Sequence, residues 1–246
     1  LVSTASVTTL IVVVGATLMV AGVVLFVVDR SAGRSSAPGA VATEMLGIGG
    51  LAAFSLLGVA VTDSPCERQT TYYCVSIVDD PNLASGRTLV LDDLTHSYVD
   101  LTDPTLLEFW YVRRLVDGID AHVGDSDAPI DVVYLGGGAF TIPRYVRETR
   151  PGSEQTILEI DGDLVEIVEE RVGYEPGDDI DIQVGDGRLT FADLADDSAD
   201  VVVGDAFGSR SVPFHLATQE FFVDVARVLR DDGVYVANII DGPAES

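Results

Sequence analysis

Hydrophobic residues in the first quarter of the chain form two long uncharged runs. Residues 8–28 contain no charged side chain, and these 21 positions are about the length needed to cross the ~30 Å hydrocarbon core of a bilayer. Residues 45–62 form a shorter run rich in Gly, Ala and Ser, which let membrane helices approach closely. A signal peptide and a buried core helix are the alternatives, but the first run is long for a signal peptide and no A-x-A pattern follows it. The pattern therefore predicts a membrane region over residues 1–64 with two transmembrane helices.

The orientation of this membrane region stays open. Arg30 and Arg34 lie between the two runs, so the positive-inside bias places that loop in the cytoplasm and the following chain outside. The only two cysteines, Cys66 and Cys74, come just after the second run, and a disulfide between them would suit an oxidising exterior. Two arginines do not decide the sidedness, so the expectation is a multi-pass membrane location with the side of the following domain undetermined.

From about Thr70 the pattern changes to the short segments of a folded domain. Residues 71–77, 87–91 and 97–101 are rich in β-branched and aromatic side chains, which predicts a small antiparallel meander. Residues 104–119 carry apolar side chains at helical spacing and predict an amphipathic helix. These elements make up a small N-terminal β-domain with a linking helix over residues 65–125.

Residues 126–246 alternate between apolar strands and helices. The predicted strands are 131–135, 156–160, 180–184, 200–204 and 233–239, and the predicted helices are 141–149, 164–172, 189–194 and 218–229. This alternation predicts an α/β fold, with a Rossmann-like parallel sheet covered by helices on both faces. Ligands of such folds bind beyond the carboxyl ends of the strands.

Composition narrows the choice of partner. The 246 residues include 40 Asp and Glu against 14 basic residues, all of them Arg, for a net charge of -26. A nucleic-acid partner is excluded because no cluster of cations is present to contact phosphates. A disordered acidic tail is excluded because 47% of the residues are hydrophobic, which is enough to order the chain. At ~1 M salt the Debye length falls to about 3 Å, so this surface predicts a halophilic source, and most single acids are solvated surface groups.

Glycines and acids at consecutive predicted strand ends predict a nucleoside site. Gly136, Gly137 and Gly138 follow the first strand and let the backbone approach a ligand closely. The acids at the next three strand ends are Glu159, Asp186 (followed by Gly187) and Asp205. A carboxylate about 20 residues after such glycines can accept both ribose hydroxyls. A dinucleotide is disfavoured, because the glycines do not match G-x-G-x-x-G and three acids would repel a pyrophosphate.

Five motifs follow one another along the chain: residues 89–92 (LVLD), 131–138 (DVVYLGGG), 158–161 (LEID), 185–187 (GDG) and 200–205 (DVVVGD). In this order they resemble the motifs of the spermidine synthase family. The resemblance covers about residues 70–240. It implies the class I S-adenosylmethionine-dependent methyltransferase fold, with decarboxylated S-adenosylmethionine as co-substrate, a polyamine or other amine as acceptor, and no metal or prosthetic group. It also agrees with a membrane-fused member of the superfamily, and a homodimer is compatible with it.

The resemblance assigns a role to each candidate residue. Gly136–Gly138 would line the donor, Glu159 would bind its ribose, Asp186 with Gly187 would contact its adenine, and Asp205 would be the catalytic residue that accepts the proton of the acceptor amine. The chain departs from the family pattern at Ala139, Gly208 and His96, where the family has Asp, Asp and Gln, so the acceptor site is expected to be degenerate. Two alternatives stay open: an S-adenosylmethionine-dependent methyltransferase acting on another small acceptor, and a non-catalytic membrane ligand-binding module.

Overall fold

The computed structural model describes residues 14–18, 20–24, 66–124, 127–208 and 211–239. The chain divides into two compact units, residues 1–65 and residues 66–246. In the first unit, residues 14–18 and 20–24 are helical. No helix among the described residues has both the length and the apolar character that crossing a bilayer requires. The predicted span 45–62 and most of the span 8–28 lie outside the described residues.

Four antiparallel strands open the second unit. They are β1 (Arg68–Gln69), β2 (Cys74–Asp79), β3 (Gly86–Leu91) and β4 (Leu94–Asp100), hydrogen-bonded in that order. The antiparallel meander predicted from the sequence is confirmed. Strand β2 begins three residues later than predicted because the Thr70 hydroxyl accepts hydrogen bonds from the amides of Tyr72 and Tyr73, which holds these residues in a turn.

Helix α1 (Trp110–Val123) begins later than the sequence predicts. The expected start at residue 104 is wrong, since Asp100 accepts hydrogen bonds from the amides of Thr102 and Asp103, and Asp103 accepts one from the amide of Thr105. Short acidic side chains that capture nearby amides favour turns over helix, so residues 100–105 form turns. The buried face of α1 consists of Val112, Leu115, Val116 and Ile119.

A five-stranded parallel sheet forms the rest of the unit. Its strands are β5 (Asp131–Leu135), β6 (Glu154–Glu159), β7 (Ile180–Val184), β8 (Ala199–Gly204) and β9 (Leu229–Ala237), in the spatial order β7-β6-β5-β8-β9. The connections contain α2 (Thr141–Thr149), α3 (Gly162–Val172), α4 (Gly187–Ala192), a 3-10 turn (Phe214–Leu216) and α5 (Gln219–Val228). The predicted Rossmann-like α/β fold is confirmed. The strand order reverses between β5 and β8, and that reversal opens a crevice at the carboxyl edge of the sheet.

Strand β9 starts four residues earlier than predicted. It follows directly on α5, and its first residue, Leu229, pairs with Ala199 of β8. Arg230 forms ion pairs with Asp131 and Asp200, which lie at the beginnings of β5 and β8. Residues 229–232 (LRDD) show no apolar alternation, so the sequence pattern does not indicate this part of the strand. Its pairing is supported instead by the ion pairs of Arg230 with the neighbouring strands.

Hydrophobic side chains fill both faces of the parallel sheet. One cluster contains Phe140 and Tyr134 together with Val75 and Leu89 of the antiparallel sheet, so the two sheets share one core. The other cluster packs helices α4 and α5 on the opposite face through residues such as Phe221. Each large apolar side chain buried in this way contributes about 1.5–3 kcal/mol to folding. The shared core fixes the antiparallel sheet against the parallel one.

Residues 66–74, which we call the strap, extend across the carboxyl edge of the parallel sheet. A disulfide joins Cys66 and Cys74 at its two ends. The Thr70 hydroxyl donates to the Asp161 carboxylate, and the Tyr73 hydroxyl donates to the carbonyl oxygen of Phe207 (3.0 Å). The strap is therefore connected both to the loop after β6 and to the loop after β8.

Candidate active site

The sequence-predicted site residues occupy the carboxyl edge of the parallel sheet. The glycines follow β5, Glu159 ends β6, Asp186 comes two residues after β7, and Asp205 directly follows β8. Strands β5, β6 and β8 are neighbours in the sheet, so the glycines, Glu159 and Asp205 come together around the crevice.

The glycine loop needs its lack of side chains at all three positions. Gly136 has φ +90°, and a Cβ there would lie 2.9 Å from the carbonyl oxygen of Asp205. Gly138 has φ +52°, and a Cβ would lie 2.6 Å from the Ser97 hydroxyl oxygen. A Cβ on Gly137 would lie 2.5 Å from the Phe140 ring. Non-glycine residues adopt the positive φ of Gly136 and Gly138 only at a cost, and the loop passes close to the backbone of Asp205 and to the side chains of Ser97 and Phe140.

Glu159 is buried and holds two stretches of backbone. One carboxylate oxygen accepts a hydrogen bond from the amide of Gly137 (2.8 Å), and the other accepts one from the amide of Asp161 (3.0 Å). Burial raises the pKa of Glu159, and these backbone hydrogen bonds oppose that rise. The carboxylate thus fixes the glycine loop and still lines the adjoining cavity with its remaining surface.

Asp186 is placed differently from the other acids. Its carboxylate accepts hydrogen bonds from the amides of Arg188 and Leu189 and so caps helix α4. Its second oxygen lies 3.7 Å from Nε2 of His215. Gly187 and His215 line the cavity beside Glu159, whereas Asp186 is not one of its lining residues. The structure therefore places Asp186 next to the cavity through His215 and Gly187 and not in its wall.

Asp205 lies at the centre of the crevice. Its amide donates to the carbonyl oxygen of Leu135 (3.0 Å), which fixes it beside the glycine loop. Burial raises the pKa of Asp205 to about 6, and a hydrogen bond from Nδ2 of Asn238 to its Oδ1 (2.9 Å) opposes the rise. A carboxylate with this pKa is ionised at neutral pH and can accept a proton there.

Two cavities adjoin at Asp205. The first, which we call the Glu159 cavity, has apolar walls that include Ile160, Leu164 and Leu216. The second, the Tyr111 cavity, has walls of mixed polarity. Both cavities are lined by the same four residues, which are His96, Gly136, Gly138 and Asp205. A molecule in one cavity would therefore meet a molecule in the other at the Asp205 carboxylate.

Tyr111 lines the Tyr111 cavity and Tyr73 lines the Glu159 cavity, and the sequence pattern did not indicate either as a site residue. The Tyr111 hydroxyl donates to the carbonyl oxygen of His96 (3.1 Å), and burial together with the nearby Asp205 charge raises the pKa of Tyr111. Burial and the Glu159 charge raise the pKa of Tyr73 to about 12. Both hydroxyls are therefore protonated at neutral pH. Tyr111 lies on α1 and Tyr73 on the strap, so a search confined to the strand ends of the parallel sheet could not find them.

The three positions where the chain departs from the family pattern have different surroundings. Ala139 is buried, and its amide donates to the Ser97 hydroxyl. Gly208 is exposed and forms an isolated bridge with Ser211. His96 lines both cavities, and burial lowers its pKa, so its ring is neutral at neutral pH.

Comparison with known proteins finds relatives in the same family that the motifs resemble. The chain is 32% identical over 146 residues to a polyamine aminopropyltransferase of Vibrio vulnificus, which covers 58% of this chain and 47% of that protein. It is 31% identical over 179 residues to a polyamine aminopropyltransferase of Pyrobaculum aerophilum, covering 69% of this chain and 57% of the relative. The crystal structure of a probable spermidine synthase from Corynebacterium glutamicum superposes with a TM-score of 0.64 at 30% identity, covering 70% of this chain and 62% of that one.

The chain belongs to the spermidine synthase superfamily. No protein-family model matches it. The chain spans about half the length of the curated relatives it matches. The motif at residues 89–92 lies in the small antiparallel sheet of this chain, and the motifs between residues 131 and 205 lie along the Rossmann-like sheet.

Proposed function

We propose that this chain carries out aminopropyl transfer from decarboxylated S-adenosylmethionine to an amine of a polyamine. The observation that carries the proposal is the position of Asp205 where two adjoining cavities meet. The Glu159 cavity would hold the nucleoside of the donor, with its apolar walls against the base and Glu159 near the ribose. The Tyr111 cavity would hold the acceptor amine.

The proposed transfer requires the acceptor nitrogen to be aligned with the donor carbon and one base to accept the proton of the amine. The lone pair of the acceptor nitrogen attacks the methylene carbon bonded to the sulfonium, so that the C–N bond forms as the C–S bond breaks. Methylthioadenosine leaves with the electron pair of the C–S bond, and the proton of the amine passes to Asp205. Holding the nitrogen about 3–3.5 Å from the carbon removes much of the entropic barrier, and general-base help is typically worth ~10²–10⁴-fold.

The charges around the cavities favour the decarboxylated donor over S-adenosylmethionine itself. Among the described residues that line either cavity, the acids are Glu159 and Asp205, the histidines are His96 and His215, and neither Arg nor Lys is present. A donor tail that ends in an amine would meet opposite charge. A tail that also carries a carboxylate would meet like charge without a cation to pair with.

Substitution of Asp205 tests the proposal. We expect Asp205→Asn to lower kcat by ~10²–10⁴-fold, because an amide cannot accept the proton. Donor affinity, measured by calorimetry, should stay within twofold. For the original chain, kcat/KM should fall as the pH drops through about 6, since protonation removes the base.

The product and a matched variant give the controls for this experiment. Incubation with each donor separates methylthioadenosine, the product of aminopropyl transfer, from S-adenosylhomocysteine, the product of methyl transfer. Asp231→Asn removes an exposed carboxylate far from the cavities and should leave kcat unchanged. Unaltered turnover in Asp205→Asn would refute the role of Asp205, and binding of both donors without any product would favour a ligand-binding module.

We also propose that residues 8–28 and 45–62 attach the chain to a membrane, which their uncharged length supports. Protease accessibility in sealed vesicles, combined with thiol labelling of Cys66 and Cys74 after a membrane-impermeant reductant has opened their disulfide, measures on which side the Asp205 site lies. Decarboxylated S-adenosylmethionine would have to be present on that side for the proposed reaction to occur.

A further inference from the structure

Asn238 occupies a defined place beside the Asp205 carboxylate. It is the first residue after β9, and its amide donates to the carbonyl oxygen of Gly204 at the end of β8 (2.9 Å). This backbone bond continues the parallel pairing in which Gly204 lies opposite Ala237. Residues 205 and 238 therefore leave the sheet side by side, and the side chain of one can reach the other.

The contact between the two side chains is direct and leaves part of the carboxylate available. Nδ2 of Asn238 donates to Oδ1 of Asp205 at 2.9 Å. Within residues 66–124, 127–208 and 211–239, Oδ2 of Asp205 receives no hydrogen bond, and Asp205 is one of the residues that line both cavities. The amide thus occupies one oxygen, and the other is left for a ligand.

In the Tyr111 cavity the lining groups other than Asp205 are uncharged at neutral pH, and Glu159 is the second acid of the adjoining Glu159 cavity. Tyr111 faces Asp205 from α1 and stays protonated, His96 faces it from β4 and stays neutral, and the glycine loop after β5 presents backbone only. In this part of the described structure, Asn238 is the group that donates a hydrogen bond to the carboxylate. Burial of an ionised carboxylate is costly unless such a bond is made.

We propose that Asn238 is a positioning residue for the transfer reaction, holding Asp205 by one oxygen so that the other points to the acceptor amine. This inference rests on the proposed function, because it gives Asp205 the role of base. An amide suits the task because it donates a hydrogen bond without adding a charge. A carboxylate at position 238 would repel Asp205, and an apolar side chain would leave its Oδ1 buried without a partner.

The consequence is a limit on the proton affinity of the base. Burial alone pushes the pKa of Asp205 upward, and the Asn238 hydrogen bond holds it at about 6. Without that bond the carboxylate would remain protonated at higher pH, and less of the protein would carry a working base at neutral pH.

Two substitutions at position 238 test the proposal in the full chain. We expect Asn238→Ala to raise the pKa of Asp205 by about one pH unit, which corresponds to the loss of a hydrogen bond to a charged group. Asn238→Asp, which has nearly the same shape, should raise it further. The pKa is measured directly by carbon-13 NMR of the Asp205 carboxyl group, and the acid limb of kcat/KM should move to higher pH by the same amount.

The chain offers a matched control. Asn82 lies exposed in the turn between β2 and β3, so Asn82→Ala should change neither the pKa of Asp205 nor the pH profile. Thermal unfolding of each variant identifies any that fails to fold. If Asn238→Ala does not fold, Asn238→Asp supplies an independent reading of the same pKa.

The outcomes separate this inference from the proposed function. A raised pKa of Asp205 together with a shifted acid limb supports both. A raised pKa in a protein that forms no methylthioadenosine supports the contact with Asn238 and refutes aminopropyl transfer. A pKa of Asp205 that stays within 0.2 pH units in folded Asn238→Ala, or in Asn238→Asp where Asn238→Ala does not fold, overturns the positioning role, whatever the activity.

Discussion

Single residues at this site serve both the fold and the proposed chemistry. Glu159 accepts hydrogen bonds from the amides of Gly137 and Asp161, so the same carboxylate that is expected near the ribose also fixes the loop that the donor would contact. A buried carboxylate can accept several such bonds, whereas a carboxamide can accept only through its one oxygen. Replacement of Glu159 therefore tests two functions of one side chain.

We expect Glu159→Gln to weaken donor binding by about 1–3 kcal/mol and to lower the free energy of unfolding by a similar amount. The carboxamide nitrogen would face a backbone amide that needs an acceptor, and that amide would be left unpaired. Calorimetry with decarboxylated S-adenosylmethionine and chemical denaturation are the measurements. Glu175→Gln, an exposed change outside the cavities, is the control. An unchanged dissociation constant would count against the ribose assignment.

The sequence could indicate some of these residues and not others. Glu159, Asp205 and the three glycines follow directly from the rule that ligands bind at the carboxyl ends of parallel strands. Asp186 satisfies the same rule, yet its carboxylate caps α4 and does not line the Glu159 cavity. A short acidic side chain before a helix has two uses, as cap and as ligand contact, and sequence alone does not choose between them.

Elements meet at the site through the glycine loop. Gly136 brings the end of β5 against the start of the loop after β8, where a Cβ would lie 2.9 Å from the Asp205 carbonyl oxygen. Two strands of the sheet are thus joined at the point where the proposed base is held. Any side chain at position 136 would have to move Asp205.

Replacement of Gly136 by Ala should lower the free energy of unfolding by more than the ~1–2 kcal/mol cost of a left-handed Ala, and should lower kcat by at least tenfold. Gly124→Ala is the matched control, because Gly124 has φ +82° and no atom within 4 Å of its Cβ position. That variant carries the backbone cost without the contact. Denaturant titrations compare the two variants. Equal losses of stability and full activity in Gly136→Ala would show that the close approach is unimportant.

At the scale of the whole molecule, the dominant feature is the charge of -26. Several arginines are used in ion pairs, such as Arg150 with Asp120 and Arg227 with Asp196, and most acids remain on the surface. Mutual repulsion of surface carboxylates opposes the compact state, and dissolved salt screens it.

We therefore expect the melting temperature to rise as KCl is increased from 0.05 M to 2 M, with most of the rise reached by about 1 M, where the Debye length is about 3 Å. KCl is chosen over potassium sulfate because sulfate also strengthens apolar burial. Sucrose strengthens apolar burial without screening charge, so a comparison of KCl with sucrose isolates the effect of screening. Differential scanning calorimetry gives the measurement. A melting temperature that is flat or falls with KCl would refute the halophilic interpretation of the composition.

The sequence by itself determined the kind of fold and the edge of the sheet where the candidate site lies. Alternating patterns give strands and helices through local burial, and the bounds of β5 (Asp131–Leu135), α2 (Thr141–Thr149) and β7 (Ile180–Val184) agree with the prediction because their apolar residues face one continuous core.

Only the tertiary structure decided which side chains share the crevice. Tyr73 on the strap, Tyr111 on α1 and Asn238 after β9 are distant from Asp205 in sequence. They come to the same crevice because the strand order β7-β6-β5-β8-β9 and the shared core bring their elements together. The start of β9 likewise depends on Arg230 pairing with acids of other strands. Contacts between distant segments arise from how the elements pack, and no local pattern encodes them.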